Sequence, residues 1–171
     1  MPLWIFGYGS LLFRPAFPFE ERRPALVRGF ERRLDQGSPD HRGTPERLGR
    51  VATLVPAPGA RCGGAVHRVA DEHAEAVLAA LDVREQGGYD RVELRAALLD
   101  GGVVDALTWI ATADNPYHLG PAPLSDMVAQ IRAAVGPSGA NLEYALALRA
   151  ALRELGFHDP HIEEIADALG G

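Results

Sequence analysis

The 171-residue chain contains no lysine; all 17 of its basic residues are arginines. This absence excludes a Schiff base, a lysine nucleophile and the Gly-Lys-Ser/Thr end of a nucleotide-binding P-loop. The one cysteine, Cys62, excludes an intrachain disulfide and gives no metal-ligand spacing, which favours a reducing cytoplasm. Because Cys62 begins an apparent strand, Cys62–Val69, we expect a packed core thiol rather than a nucleophile.

Long apolar runs and an excess of positive charge are also missing. No run approaches the roughly 18 apolar residues of a membrane span, and no basic segment precedes the first apolar stretch, so we expect no membrane association. The formal net charge is −6 and the arginines are scattered among acids, which argues against nucleic acid as a partner. The length fits one domain, residues 1–171, burying about 70% of its unfolded surface.

What the chain does have, almost at its N-terminus, is an apolar strand that runs into glycines. Leu3–Phe6 is typical of a short buried strand, and Gly7 and Gly9 allow sharp bends and close approach of a ligand to the main chain. Peptide N–H groups in such a loop can cradle an anion, while Tyr8 adds an aromatic wall and Ser10 a hydroxyl. The alternative is a simple tight turn.

Familiar nucleotide motifs do not fit this loop. A Rossmann fingerprint needs a third glycine and a helix that opens on it. Two prolines within Arg14–Pro18 argue against a helix at this point.

The first two thirds of the chain are predicted to be mainly strands separated by loops rich in proline and glycine, such as Pro56–Gly59. One helix interrupts them from Asp71, a plausible N-cap, to about Val83. Its apolar residues at i, i+3, i+4 and i+7 predict one buried face. The predicted strands are Leu3–Phe6, Leu26–Leu34, Val51–Val55, Cys62–Val69, Val92–Leu99 and Val104–Ala111, and the buried helix residues are Ala74, Val77, Leu78 and Leu81.

The last third is predicted to be helical. We expect helices over Leu124–Val135, after a cap at Asn141, and after Asp159-Pro160 in the Asp N-cap, Pro N1 arrangement. Strands followed by helices around one core indicate an α+β fold: a small closed or nearly closed mixed β-barrel with helices packed outside it.

Glu85 lies between the predicted helix and the next strand, because Gly87 and Gly88 follow it. If this junction points inward, burial raises the pKa of the carboxyl and suits it to proton transfer near neutral pH. The alternative is a surface glutamate paired with Arg84 or Arg91.

The segment Gln36–Pro45 is too polar and too rich in glycine and proline for regular structure, and such a loop can supply polar groups to a pocket. Gln36 is therefore a candidate substrate-binding residue. Asp40 and His41 suggest a hydrolase triad, but the chain has no Gly-x-Ser-x-Gly elbow. Its histidines form no ligand-spaced pair typical of a catalytic metal site, so we expect no metal.

Five motifs in register give the chain a family resemblance from about Pro2 to the final helix. The chain resembles the ChaC-type, glutathione-specific γ-glutamylcyclotransferases, whose fold is a small β-barrel-like core with surrounding helices. The resemblance implies that the loop of Gly7, Tyr8, Gly9, Ser10, Leu11 and Leu12 binds the γ-glutamyl group, that Glu85 is the acid/base, and that Tyr144 lies near the substrate. The motifs are Gly7–Leu11, Arg84-Glu85-x-Gly87-Gly88-Tyr89, Asn115-Pro116, Leu119–Leu124 and Gly136–Gly139.

The resemblance also implies an intramolecular reaction without cofactor or metal. The substrate's own α-amine attacks its γ-carbonyl, which closes 5-oxoproline and releases cysteinylglycine. At Leu34 and Asp35 the family commonly has two aromatic residues, so we expect a different wall toward the cysteinylglycine end. Two alternatives stay open: the same chemistry on another γ-glutamyl amine or amino acid, and a non-catalytic module that holds an anion.

Overall fold

The computed structural model describes residues 2–171 and contains a closed barrel of five strands in the order β1-β3-β2-β4-β5. All neighbouring strands are antiparallel except β1 and β5, which pair in parallel at Ile5 and Leu107. The mixed α+β barrel predicted from the sequence is therefore confirmed. The strands are β1 (Leu3–Gly7), β2 (Glu21–Ser38), β3 (Gly49–Val69), β4 (Tyr89–Leu98) and β5 (Val103–Ala111).

Five helices and a two-stranded ribbon complete the described chain, and the helices after the barrel confirm the predicted helical last third. None of the helices within residues 2–171 is long and apolar enough to cross a membrane. The helices are α1 (Ser10–Phe13), α2 (Asp71–Arg84), α3 (Leu124–Ala133), α4 (Asn141–Glu154) and α5 (Pro160–Ala168), and the ribbon is β6 (Val135–Gly136) with β7 (Gly139–Ala140).

Two apolar clusters hold the helices to the barrel. Successive side chains of a strand point to opposite faces, so Phe6 joins the larger cluster with α3, α4 and α5, while Ile5 joins a smaller one against α2. Of the four residues of α2 predicted to be buried, Val77 and Leu81 are buried, whereas Ala74 and Leu78 are only half-buried. Cys62 is buried in the larger cluster, and burial raises the pKa of its thiol to about 11, so the prediction of a packed core thiol is confirmed.

The long strands differ from the prediction. Strand β3 is continuous through Pro56–Gly59, where a loop was expected between two strands. Its register with β2 shifts between the pairs Arg28–Arg61 and Phe30–Pro56, so four residues of β3 bulge opposite Gly29. A proline inside a strand is tolerated at such a bulge, because no ladder hydrogen bond is required of it there.

The polar segment predicted to be irregular from Gln36 begins instead as strand. Gln36, Gly37 and Ser38 pair with Val51, Arg50 and Gly49, so β2 ends only after Ser38. The ladder continues because main-chain pairing with β3 outweighs the weak strand preference of these side chains.

Several helix ends also differ from the prediction. Ala70 rather than Asp71 is the N-cap of α2, α3 ends at Ala133, and Asn141 is the first residue of α4 rather than its cap. The Asn141 side chain instead accepts a hydrogen bond from Arg50 N (2.7 Å) and donates one to Arg50 O (2.8 Å).

Asp159 does cap α5, as predicted: its Oδ1 accepts from Ile162 N at 3.2 Å. Residues 14–18 form no helix, as the two prolines predict, and one helical turn, α1, precedes them.

Candidate active site

A cavity lies where the loop after β1, the C-terminal end of α2 and the β6–β7 ribbon come together. Tyr8, Gly9, Ser10 and Leu11 of the glycine loop line it, together with Glu85. Tyr144 of α4 closes the wall beside Gly9. The structure therefore brings together six of the nine residues that the sequence marks as site candidates.

Glu85 is the C-cap of α2, and its backbone N–H donates to Leu81 O at 2.9 Å. Only 15% of its side chain is exposed. Burial raises the pKa of the carboxyl, while the positive charge of Arg84 acts in the opposite direction. Arg91 pairs with Asp82 instead, so of the two alternative partners only Arg84 is near Glu85, with Nε 3.9 Å from Oε1.

Arg84 connects α2 to the glycine loop. Its Nη2 donates to Ser10 Oγ at 3.1 Å and its Nη1 to the main-chain oxygen of Arg14 at 2.9 Å. The helix that carries Glu85 is thereby held against the loop that it faces across the cavity.

Three tyrosines form the inner wall: Tyr8 and Tyr144 are buried and Tyr89 is half-buried. The hydroxyls of Tyr8 and Tyr89 donate to Trp109 O (2.6 Å) and Ala52 O (2.7 Å), whereas the hydroxyl of Tyr144 accepts from Ala52 N (2.9 Å). Burial raises the pKa of all three, that of Tyr144 to about 12, so none is a base near neutral pH. Because Tyr144 accepts from the main chain, its own proton remains free to donate to a ligand.

The other three candidates lie behind the cavity wall. Leu12 is in the larger apolar cluster and Gly7 is buried against Leu11. Gln36 is fully buried, and its Nε2 donates to Gly87 O (3.0 Å) and Asn115 Oδ1 (2.9 Å). Gln36 thus anchors the turn that follows Glu85.

Sequence reasoning missed several residues of the cavity, among them Arg14, Arg42 and Ser138. His41, which it considered only for a triad or a metal, lies between Ser138 Oγ (3.3 Å from Nδ1) and Arg84 O (3.2 Å from Nε2). Nothing in the sequence around these residues indicates that they line a cavity. Among the described residues no three His, Cys, Asp or Glu side chains are grouped as a metal site.

The unusual pair Leu34 and Asp35 does not reach the cavity, contrary to expectation. Both are buried in β2, at a shift of register opposite Ala52. Leu34 packs in the larger apolar cluster, and Asp35 lies 3.7 Å from Arg33 Nε. Neither residue is among those that line the cavity.

The barrel with its helices defines the fold class of the γ-glutamyl cyclotransferases. The structure superimposes on a crystal structure of a γ-glutamyl cyclotransferase specific to glutathione from yeast with a TM-score of 0.93, at 29% identity and covering 99% of this chain and 96% of that one. Residues 3–170 match the family described as ChaC-like protein, and the chain belongs to that family.

Curated relatives are similar in sequence to this chain over nearly its whole length. Gamma-glutamylcyclotransferase 2-3 of Arabidopsis thaliana is 40% identical, covering 99% of this chain and 89% of the relative. Glutathione-specific gamma-glutamylcyclotransferase 1 of Homo sapiens is 41% identical, covering 98% and 78%.

Proposed function

We propose that this chain is a γ-glutamylcyclotransferase that converts glutathione to 5-oxoproline and cysteinylglycine, with Glu85 as general acid and base. Relatives named for this activity on glutathione support the substrate. The observation that carries the mechanism is a mostly buried carboxylate that faces a glycine loop across one cavity.

The substrate supplies its own nucleophile, so the protein needs no attacking Ser, Cys or Lys. A folded γ-glutamyl chain brings the α-nitrogen to the γ-carbonyl carbon, and well-oriented intramolecular reactions reach effective molarities of about 10⁵–10⁸ M. The new C–N bond closes the lactam and the bond to the cysteinyl nitrogen breaks. Of the three ammonium protons, one stays on the lactam nitrogen and two pass to the leaving amine.

Glu85 is suited to carry these protons. Its raised pKa lets the carboxylate take a proton from the α-ammonium and return it to the departing amine near neutral pH. The N-terminal amides of α1, at Ser10 and Leu11, have no partner within the helix, and the Tyr144 hydroxyl proton is free. These donors bind the α-carboxylate or the oxyanion, and losing one oxyanion donor typically costs about 3–4 kcal/mol.

The test of the proposal is Glu85→Gln, which keeps the shape of the side chain and removes the exchangeable proton. We expect 5-oxoproline formation from glutathione to fall at least 10²-fold, the lower range for a lost acid/base group. Calorimetric titration should show that glutathione still binds. Chromatographic detection of 5-oxoproline measures the rate.

The matched control is Glu93→Gln on β4, an exposed glutamate outside the cavity, which should keep the full rate. An E85Q protein with more than about a tenth of the parent rate contradicts the acid/base role. Parallel assays with γ-glutamyl-alanine separate a glutathione enzyme from one acting on another donor. No 5-oxoproline from any donor, with binding retained, identifies a non-catalytic anion-binding module.

A further inference from the structure

Arg14 is the C-cap of α1, and hydrogen bonds hold both its main chain and its side chain in place. Its backbone N–H donates to Ser10 O (2.7 Å) and its carbonyl accepts from Arg84 Nη1 (2.9 Å). At the other end, its guanidinium Nη1 donates to Ser138 O at 3.2 Å. The residue is exposed and lines the cavity, so its charge lies at the cavity rim while Glu85 lies inside.

Three guanidinium groups line the cavity, and they differ in their partners. Arg84 is bound to the glycine loop and lies 3.9 Å from Glu85. Arg42 donates to Ala140 O (3.0 Å) and lies 3.7 Å from Glu143. Arg14 has no carboxylate of residues 2–171 within 4.0 Å, which leaves most of its donors for a ligand.

The positive charge of Arg14, which no carboxylate of the described chain neutralises, also affects the other charged groups of the cavity. After burial, the positive charge of Arg14 is the next largest cause that lowers the pKa of Arg42, so the two guanidinium groups repel each other. The cavity lining carries three arginines against the two carboxylates Asp40 and Glu85. An anion near Arg14 would relieve this imbalance.

The distances fit the leaving end of the substrate rather than its glutamyl end. Arg14 follows Ser10 by four residues, about 6 Å along a helix. The two residues of cysteinylglycine reach about 7 Å from the γ-carbonyl when extended. On the basis of the proposed function, we propose that Arg14 is a specificity-determining residue that binds the C-terminal carboxylate of the leaving peptide and selects anionic donors over neutral ones.

The experiment compares glutathione with its C-terminal amide, which keeps the γ-glutamyl bond and the length but lacks the terminal charge. The parent protein should favour the free acid about tenfold in kcat/KM, the effect of one charged hydrogen bond at a partly exposed site. In Arg14→Met this ratio should fall to near 1, because kcat/KM for glutathione should fall about ten times more than kcat/KM for the amide. Arg14→Lys should restore part of the ratio.

The matched control is Arg28→Gln on β2, an exposed arginine outside the cavity, which should keep the parent ratio. A parent protein that does not discriminate, or an Arg14→Met protein that loses both substrates equally, overturns the specificity role. The same selectivity can be measured without turnover, as the ratio of the Kd values of the two compounds. This ratio is compared between Glu85→Gln and Glu85→Gln/Arg14→Met. Failure of the proposed function, seen as absent 5-oxoproline, is thereby distinguished from failure of this inference.

Discussion

At the scale of single residues, Gly9 leaves no room for a side chain beside the cavity. A Cβ there would lie 2.9 Å from the Tyr144 hydroxyl and 3.3 Å from Ala52 Cβ. Both neighbours are held in place, because the same hydroxyl accepts from Ala52 N. We therefore expect Gly9→Ala to displace the loop or Tyr144 and to lower kcat/KM for glutathione about 10²-fold, since small misplacements near the reacting atoms are costly.

A double-mutant cycle checks this prediction. Tyr144→Phe removes the oxygen that the new methyl group meets, so Gly9→Ala should cost several-fold less in the Phe background than in the parent. Gly87→Ala is the comparison, because a Cβ there meets only Asp40, at ordinary contact distances of 3.6 and 3.7 Å. Equal losses in both backgrounds would show that contact with Tyr144 is not the cause.

Site residues could be predicted from the sequence where neighbouring residues along the chain indicate their position. Gly9 and Ser10 follow a buried strand, and Glu85 follows a helix whose end the glycines mark, so each could be placed from its neighbours. Arg14 and Ser138 could not, since they meet only through contacts across 124 positions of sequence. Their part in the cavity is a property of the tertiary fold.

At the scale of elements, α5 is joined to the barrel through Asp159. One carboxylate oxygen caps the helix at Ile162 N, and the other lies 3.1 Å from Arg32 Nε, whose side chain is 1% exposed. Arg32 also donates to the carbonyls of Tyr8 and Gly63. Asp159→Asn should keep the cap and break the ion pair, costing about 3 kcal/mol, the lower end for a broken buried pair because Arg32 keeps these two acceptors.

Asp159→Ala removes the cap as well and should cost about 1 kcal/mol more. Urea unfolding at pH 7 measures both values. The control is Asp105→Asn, which breaks the exposed pair with Arg95 and should change the free energy of unfolding by about 0.5 kcal/mol or less. If Asp159→Asn matched that control, the buried pair would not couple α5 to the barrel.

Element prediction worked for the four longer helices and failed for the one-turn α1 and for the long strands. The apolar spacing of α2 and the Asp159-Pro160 start of α5 are local signals, and both were found. Strands β2 and β3 were shortened or divided, because Pro56 and the polar residues Gln36–Ser38 suggest loops. Only the partner strand, which supplies the hydrogen bonds and tolerates bulges, decides that the ladder continues.

At the scale of the whole molecule, two histidines contribute to a loss of stability when the solution is acidified. Burial lowers the pKa of His67 and of His161 to about 4. His67 Nε2 is buried without a partner among the described residues, and its ring packs edge-on against Phe17 and Phe19. His161 Nε2 accepts a hydrogen bond from Leu34 N at 3.0 Å. Protonation would bury an unpaired charge at the first and remove a hydrogen bond at the second.

The direction of the stability change with pH follows from which state, folded or unfolded, binds more protons. Between pH 6.5 and about 4 the unfolded chain protonates both histidines and the folded protein does not, so stability falls as the solution is acidified through this window. For fully buried His67 the lowered pKa corresponds to about 3 kcal/mol across the window. The raised pKa of Glu85 acts in the opposite direction, because its folded form retains a proton as the pH rises above the unfolded value.

Urea unfolding at pH 7 and pH 5 tests this account. The parent protein should lose several kcal/mol between the two values, and His67→Leu should lose about half as much, because one of the two differential protons is removed. His73→Asn, an exposed position on α2, should retain the full parental loss. Because each protein is judged by its own loss of unfolding free energy between pH 7 and pH 5, the test holds even if His67→Leu changes stability at pH 7. An unchanged loss in His67→Leu would mean that the folded protein accommodates a charged imidazole at His67.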